Sequence, residues 1–377
     1  MEARLDDRRQ AEARQYAAQK RILFLVDAGV GAIYVLCLIA TGAAIGLRQA
    51  VSGIPGGRFG EVAAFFVIIL VAYTALTLPL SIIGWQLSRR HGLSVQRFGG
   101  WLADWAKGLV LSLVLGLLMV EVLYWLLAVT PAVWWVIAAA LYLVFTVGLA
   151  NLGPVLLVPL FFKMSPLDRP ELVRGLQALA QRAGVHVGGV YCIELSSKTT
   201  AANAALMGLG KTRRIVIGDT LLNQYSPSEI EVVFAHELGH HVHHDVPKLV
   251  LLQTGLTFIG LFIAHEVLHW GVGAFGYQGI GDPATLPLLA LFLGLYGFLT
   301  APLSNWVSRQ AERSADLYAL RTTGDAPAFI DTMVKLANQN LAVVWPPRWE
   351  EVLFYDHPSI GERIAFGETF QRSTGAA

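Results

Sequence analysis

The sequence predicts a mainly α fold: a polytopic bundle of membrane helices with an inserted cytoplasmic α+β region. Three observations carry this. The chain has 377 residues, 55% hydrophobic and only 15% charged, which is too apolar for ordinary soluble domains. Six apolar stretches are each long enough to cross a hydrocarbon core, which takes about 20 residues. The long polar interval between the fourth and fifth stretches mixes helical and strand periodicity.

Taken in order, residues 1–21 form a charged cytoplasmic N-terminus, and residues 22–162 form a first transmembrane group with spans at 22–47, 62–87, 108–129 and 132–162. The first span is too long for the apolar core of a signal peptide and no small-residue cleavage site follows it, so it is read as retained. The fourth contains Asn151, Gly153, Pro154 and Pro159, which fits either one tilted helix with a broken end or two short passes. Two passes would invert the sidedness of everything that follows.

Residues 163–248 form the inserted region. Pro170 to Gly184 has helical periodicity, whereas Val190 to Leu195 and Arg214 to Ile217 are β-like. Ser226, Pro227 and Glu229 supply an N-cap, a Pro at N1 and an N3 carboxylate, and Ile230, Val233 and Phe234 give the helix they start an apolar face. Residues 249–306 hold two further spans, 249–270 and 286–306. Residues 307–377 return to the cytoplasm with a helix over Ala326 to Asn338. No repeat or long linker divides the chain, so one interlocked unit is expected.

Charge orients this plan. With six crossings and the N-terminus inside, only Arg48 and Arg58 of the 28 Lys and Arg fall outside, while Arg14, Lys20, Arg21, Arg89, Arg90 and Arg97 lie close to inner membrane ends. The net charge of +1 gives no reason to expect a nucleic-acid partner. Cys37 falls in a span and Cys192 in the inserted region, so no disulfide is expected.

The chemistry is concentrated at His236-Glu237-Leu238-Gly239-His240. Histidines at i and i+4 stack on one helix face and can aim at one zinc ion, with Glu237 beside the open position of that ion. A third ligand is required, and Glu312 is the best candidate. Asp316 stands at i+4 from it, so one carboxylate can bind metal while the other accepts the far N–H of a ligand histidine. A solvated, charge-laced helix end is the bland alternative. His265-Glu266-Val267-Leu268-His269 repeats the pattern at the outer end of the fifth span, about 30 Å of bilayer away from Glu312. Interfacial helix-end residues are the favoured reading there. His241, His243 and His244 are read as polar neighbours.

Several ordered motifs then coincide: Ser165-Pro166-Leu167, Asn203-Ala204 with Gly208-Leu209-Gly210-Lys211, Ile217 to Leu222, the histidine motif, Ser308-Arg309 with Glu312 and Ala315-Asp316, and His357-Pro358 with Glu362-Arg363. In these the chain resembles the integral-membrane zinc metalloproteases that include the CAAX prenyl protease and the bacterial heat-shock membrane protease. The resemblance implies a zincin-like inserted region and one Zn2+ per chain held by His236, His240 and Glu312, with Glu237 as general base. It further implies that His357 supports the oxyanion and that Asn203 lies on an edge segment contacting the substrate backbone. For His357 and Asn203 these roles rest on the resemblance alone; a surface-loop histidine and a turn residue are the plain alternatives, and Arg363 receives no role.

The chain departs from the family in having six spans where the eukaryotic members have seven, and in Ile193 to Ser197 replacing the usual Asp-Gly-Ser. The expected function is zinc-dependent endopeptidase action on membrane-associated or lipidated proteins or peptides, with the lipid bilayer as the other partner. Abundant Ala, Gly, Leu and Arg favours a bacterial inner membrane. The alternatives are a site-2-type intramembrane protease, or a non-enzymatic scaffold or transporter using the intramembrane Asp27, Glu121 and Asn151. Oligomeric state is not readable.

Overall fold

The computed structural model describes residues 4–208 and 213–375. Helix α1 (Asp7–Ala40) begins where the Asp6 carboxylate accepts from the amides of Arg8 and Arg9. The charged N-terminus is therefore continuous with the first span as one helix. That span is shorter than expected. Thr41 receives the last turn, Gly42 adopts φ +70°, and a separate short helix α2 (Ala43–Val51) follows where the sequence suggested one span to Leu47. Both sides of the break are apolar, so hydropathy does not register it, while glycine is the residue that takes the left-handed conformation without steric cost.

Helices α3 (Gly57–Arg90) and α4 (Phe98–Val129) are the next two spans. The fourth is a single pass with a broken end: α5 (Trp134–Leu152) widens into a π-helical turn at Gly153–Leu157 and closes as α6 (Val158–Phe161). Pro154 and Pro159 each remove a backbone donor, and the wider turn accommodates the loss.

The inserted region contains β1 (Met164–Pro166), α7 (Pro170–Arg182), β2 (Val190–Ile193), β3 (Ala204–Met207), β4 (Arg214–Gly218), α8 (Asp219–Leu222) and α9 (Pro227–Val242). The sheet order is β1-β2-β4-β3, with β2 and β4 parallel and both outer pairs antiparallel. β1 was not foreseen, being three residues long with a proline, a residue tolerated there because the strand is an edge. At α9 the Ser226 hydroxyl accepts from the Glu229 amide at 3.3 Å and the Glu229 carboxylate accepts from the Ser226 amide at 2.7 Å, the expected reciprocal cap.

Helix α10 (Asp245–Phe275) and helix α11 (Leu286–Thr323) carry the last two spans, and α11 runs on without interruption past Glu312 and Asp316. Helices α12 (Ala326–Asn340), α13 (Arg348–Phe354) and α14 (Ile360–Gly375) complete the chain; of these only α12 was expected. Among the described residues six helices are long and apolar enough to cross a membrane, and α9 is not among them.

Buried apolar side chains form three clusters among the described residues, one of them around Ala44, Phe65 and Leu288. Leu176, Ile215, Ile217, Leu221, Ile230, Leu238 and Phe329 join α7, the sheet, α9 and α12 into one core. At the opposite end of the bundle, Tyr124, Leu126, Trp134 and Leu268 form another, and there Arg48 pairs with the buried Asp282 at 2.6 Å while Arg58 donates to the Gly281 carbonyl. The first turns of α1 lie against the end of α12: Arg9 Nε donates to the Asn338 carbonyl at 3.1 Å, and Gln10 bonds both the Ala342 carbonyl and the Val344 amide. The N-terminus and the C-terminal region therefore stand at the same end of the helix bundle.

Candidate metal centre

Helix α9 turns His236 and His240 toward α11, where Glu312 faces them. One ligand atom from each of the three residues lies within 4.8 Å of the others. His236 Nε2 is 3.2 Å from Glu312 Oε2, His240 Nε2 is 3.2 Å from Glu312 Oε1, and the two Nε2 atoms are 3.2 Å apart. Each ring's other nitrogen is spent on a carboxylate: His236 Nδ1 donates to Asp316 Oδ1 at 2.9 Å and His240 Nδ1 to Asp245 Oδ2 at 3.1 Å. That arrangement leaves two imidazole lone pairs and a carboxylate aimed at one point, a donor set that fits a divalent cation such as zinc.

Electrostatics points the same way. Burial lowers the affinity of His236 for a proton, but its hydrogen bonds to Asp316 and Glu312 outweigh that and push its pKa up to about 9. His240 is likewise raised, burial being offset by Glu312 and Asp245. Arg363, buried, grips Asp316 through two bonds, Nε to Oδ2 at 2.9 Å and Nη2 to Oδ1 at 2.5 Å, which favours the charged carboxylate that His236 needs. This supplies the contact that sequence reasoning lacked for Arg363.

The two helices approach closely because residue 239 is glycine. A Cβ there would stand 2.8 Å from Ala315 Cα and 3.1 Å from Tyr318 Cβ. Asp245 was missed altogether. It follows His244, a non-glycine residue in the left-handed region with φ 59°, and this turn between α9 and α10 brings Asp245 back beneath His240. No local pattern signals such a turn.

His357 arrives from the loop between α13 and α14. Its Nε2 is 3.2 Å from Glu312 Oε1 and its Nδ1 is 2.8 Å from Asp356 Oδ1. The Asp356 hydrogen bond raises its pKa against the opposing effect of burial, with Glu312 adding to the rise. Arg309 sets the loop's position by donating to the carbonyls of Glu351 and Tyr355 at 2.9 and 2.5 Å. Glu237, half-buried, lines a cleft of about 620 Å³ together with His236, His357, Asn203 and Ala204. Asn203 is exposed and directly precedes the edge strand β3, its carbonyl accepting from the Gly218 amide at 2.9 Å. His236, Glu237, His357 and Asn203 thus line one cleft, and His236 meets His240 and Glu312 beside it.

The divergent turn at Ile193 to Ser197 is organised by Asp219, which accepts from the amides of Leu195 and Ser196 and from the Ser196 hydroxyl. Burial raises the pKa of Asp219, but these bonds outweigh it and lower it. Within the Gly208 to Lys211 motif, residues 209–211 lie outside the described residues. The second histidine motif brings the rings of His265 and His269 to 4.5 Å, and His265 Nδ1 accepts from Trp134 Nε1 at 3.1 Å. Among the described residues, however, the one group of three able to hold a metal is His236, His240 and Glu312. His243 packs edge-on against Tyr318, and His244 Nδ1 donates to the Val242 carbonyl.

The sequence pattern of Peptidase family M48 matches residues 166–368, and that of the CAAX prenyl protease N-terminal region, described as five membrane helices, matches residues 1–163. Among the described residues of 1–163 this chain has four helices of membrane length, with the short α2 between the first two. The chain is 32% identical to the uncharacterized metalloprotease YhfN of Bacillus subtilis over 95% of its own length and 85% of the relative's. It is 28% identical to CAAX prenyl protease 1 of Saccharomyces cerevisiae over 77% of its own length and 68% of the relative's. The crystal structure of S. mikatae Ste24p has the same fold, with a TM-score of 0.87 at 22% identity, covering 97% of this chain and 90% of that one. The chain belongs to Peptidase family M48, as a multi-pass membrane metalloendopeptidase of the CAAX prenyl protease type.

Proposed function

We propose that the chain is a zinc-dependent endopeptidase that hydrolyses peptide bonds in membrane-associated or lipidated proteins and peptides. His236, His240 and Glu312 would hold the ion, and Glu237 would act as general base. The carrying observation is the convergence of two histidine Nε2 atoms and a carboxylate, each imidazole backed by its own carboxylate, in a cleft that also contains Glu237.

A zinc ion held by His236, His240 and Glu312 would supply Lewis acidity, lowering the pKa of water to about 7. Glu237 takes the proton of the attacking water and passes it to the leaving amine. His357, whose pKa the Asp356 hydrogen bond raises, would donate from Nε2 to the developing oxyanion. Asp316 and Asp245 keep both ligand rings in the tautomer that presents Nε2. Asn203 and the edge strand beside it hold the substrate backbone.

The cytoplasmic face of a bacterial inner membrane is the proposed location. Support comes from the basic residues at the inner ends of the spans, from the bonds between α1 and the C-terminal region, and from the Bacillus subtilis relative. The name carried by the Saccharomyces cerevisiae relative supports a lipidated substrate. The position of the motif on α9, outside the six membrane-length helices, argues against a site-2-type arrangement.

The test is metal content and peptide cleavage for detergent-purified wild type and Glu237→Gln. About one zinc per chain in both, with turnover confined to wild type, is expected. Equal cleavage by the two proteins would overturn the assignment of Glu237.

A further inference from the structure

β3 is the outer strand of the sheet, with β4 on one side only. Its register settles where its backbone groups point. Gly218 N–H bonds the Asn203 carbonyl, and Ala204, Ala205, Leu206 and Met207 stand opposite Ile217, Val216, Ile215 and Arg214. In an antiparallel pair, residues that bond the neighbour alternate with residues whose N–H and C=O point away. Asn203, Ala205 and Met207 therefore face β4, whereas Ala202, Ala204 and Leu206 present their backbone groups to the open edge.

At Ala202 that edge is already covered. The Asn340 carboxamide, at the end of α12, accepts from the Ala202 amide at 2.9 Å and donates to the Ala202 carbonyl at 3.2 Å. Its neighbour Gln339 donates to the Thr200 carbonyl at 2.8 Å and is itself held by the Tyr225 hydroxyl. A carboxamide bonded to both backbone groups of one residue occupies the place that one residue of a paired peptide would take. Ala204, the next edge-facing residue, is about 6.8 Å along the strand and lines the same cleft as His236 and Glu237.

We propose that Asn340 is a register stop for the substrate. A peptide laid along β3 pairs with Ala204 and Leu206 but not with Ala202, so the flank on one side of the scissile bond gains no backbone pairing beyond its first pair. The flank on the other side pairs further. Asn340 thus sets how many substrate residues the enzyme reads on its short side. This inference rests on the peptidase reading of the cleft.

The experiment measures kcat/KM for two nested peptide series with one fluorogenic core, lengthened by one to six residues on the N-terminal or the C-terminal side. In the wild-type protein the gain stops early on one side and continues on the other. In Asn340→Ala the ratio of long to short peptides on the stopped side rises about tenfold, equivalent to ~1.4 kcal/mol. Asn340→Asp, which keeps the acceptor for the Ala202 amide and gives up the donor, serves if the alanine variant does not fold. Equal gains on both sides in wild type overturn the proposal without any variant, as does a length profile unchanged by substitution. Glu237-dependent cleavage with an unchanged profile removes this inference alone. Absence of Glu237-dependent cleavage from wild type removes the peptidase reading and this inference with it.

Discussion

Replacing Gly239 with alanine tests whether the metal centre depends on how closely α9 and α11 cross. The new methyl would meet Ala315 Cα at 2.8 Å and Ala315 Cβ at 3.2 Å, where ordinary contact begins at 3.4 Å. Ala315 is fully buried and the nearest clashing atom is backbone, so no flexible side chain can swing aside. The helices must separate by about 0.6 Å to restore normal contact. His240 is the next residue on one helix and Glu312 lies one turn back on the other, so the ligands separate by a similar distance, and metal sites tolerate only about 0.2 Å. Zinc affinity should fall at least tenfold, about 1.4 kcal/mol or more. Global stability should change less, because overpacking costs of ~1–3 kcal/mol are offset by ~1 kcal/mol of helix propensity gained over glycine. Chelator competition reads the first quantity, and thermal unfolding of the metal-free protein reads the second. Zinc affinity within twofold of wild type would refute the reasoning.

Three further outcomes follow from the same geometry. Asp245→Asn leaves His240 without the carboxylate that orients it and should weaken zinc binding about 10–100-fold with little change in folding, measured by the same competition. Zinc binding should also depend on pH, because in the metal-free protein His236 titrates at about 9 and the ion must displace its proton. Apparent affinity should rise at least tenfold per pH unit below that value, more where His240 must give up a proton as well, and flatten above it. By the same linkage, the protonated His236 stabilises the metal-free fold fully below its ordinary pKa of 6.5, and that contribution is lost as pH climbs through about 9. Melting temperatures of metal-free protein at the two ends of this window check the sign.

The features legible in the sequence are those governed by short-range rules. Membrane helices show as apolar runs, because unpaired backbone groups in lipid force each crossing to be helical. The Ser226 cap and the spacing of His236, His240, Glu312 and Asp316 are visible because each lies within two turns of one helix. The break at Gly42 is hidden by apolar residues on both sides. Asp245 is reached through the left-handed His244, and Arg309 holds His357 across more than forty residues of sequence. Asn340 and Ala202 stand farther apart still, and an amide substituting for a strand leaves no periodic signal. What escaped the sequence is contact between distant segments, where side-chain geometry decides and composition does not.

The most direct test of the central claim is X-ray absorption at the zinc edge on wild type and Glu312→Gln. Two imidazole nitrogens at about 2.0–2.1 Å with carboxylate oxygen at about 2.0–2.2 Å in wild type, and loss of the carboxylate or of the zinc in the variant, is the expected result. Zinc whose first shell is unaltered by Glu312→Gln, or that binds without imidazole, would contradict it.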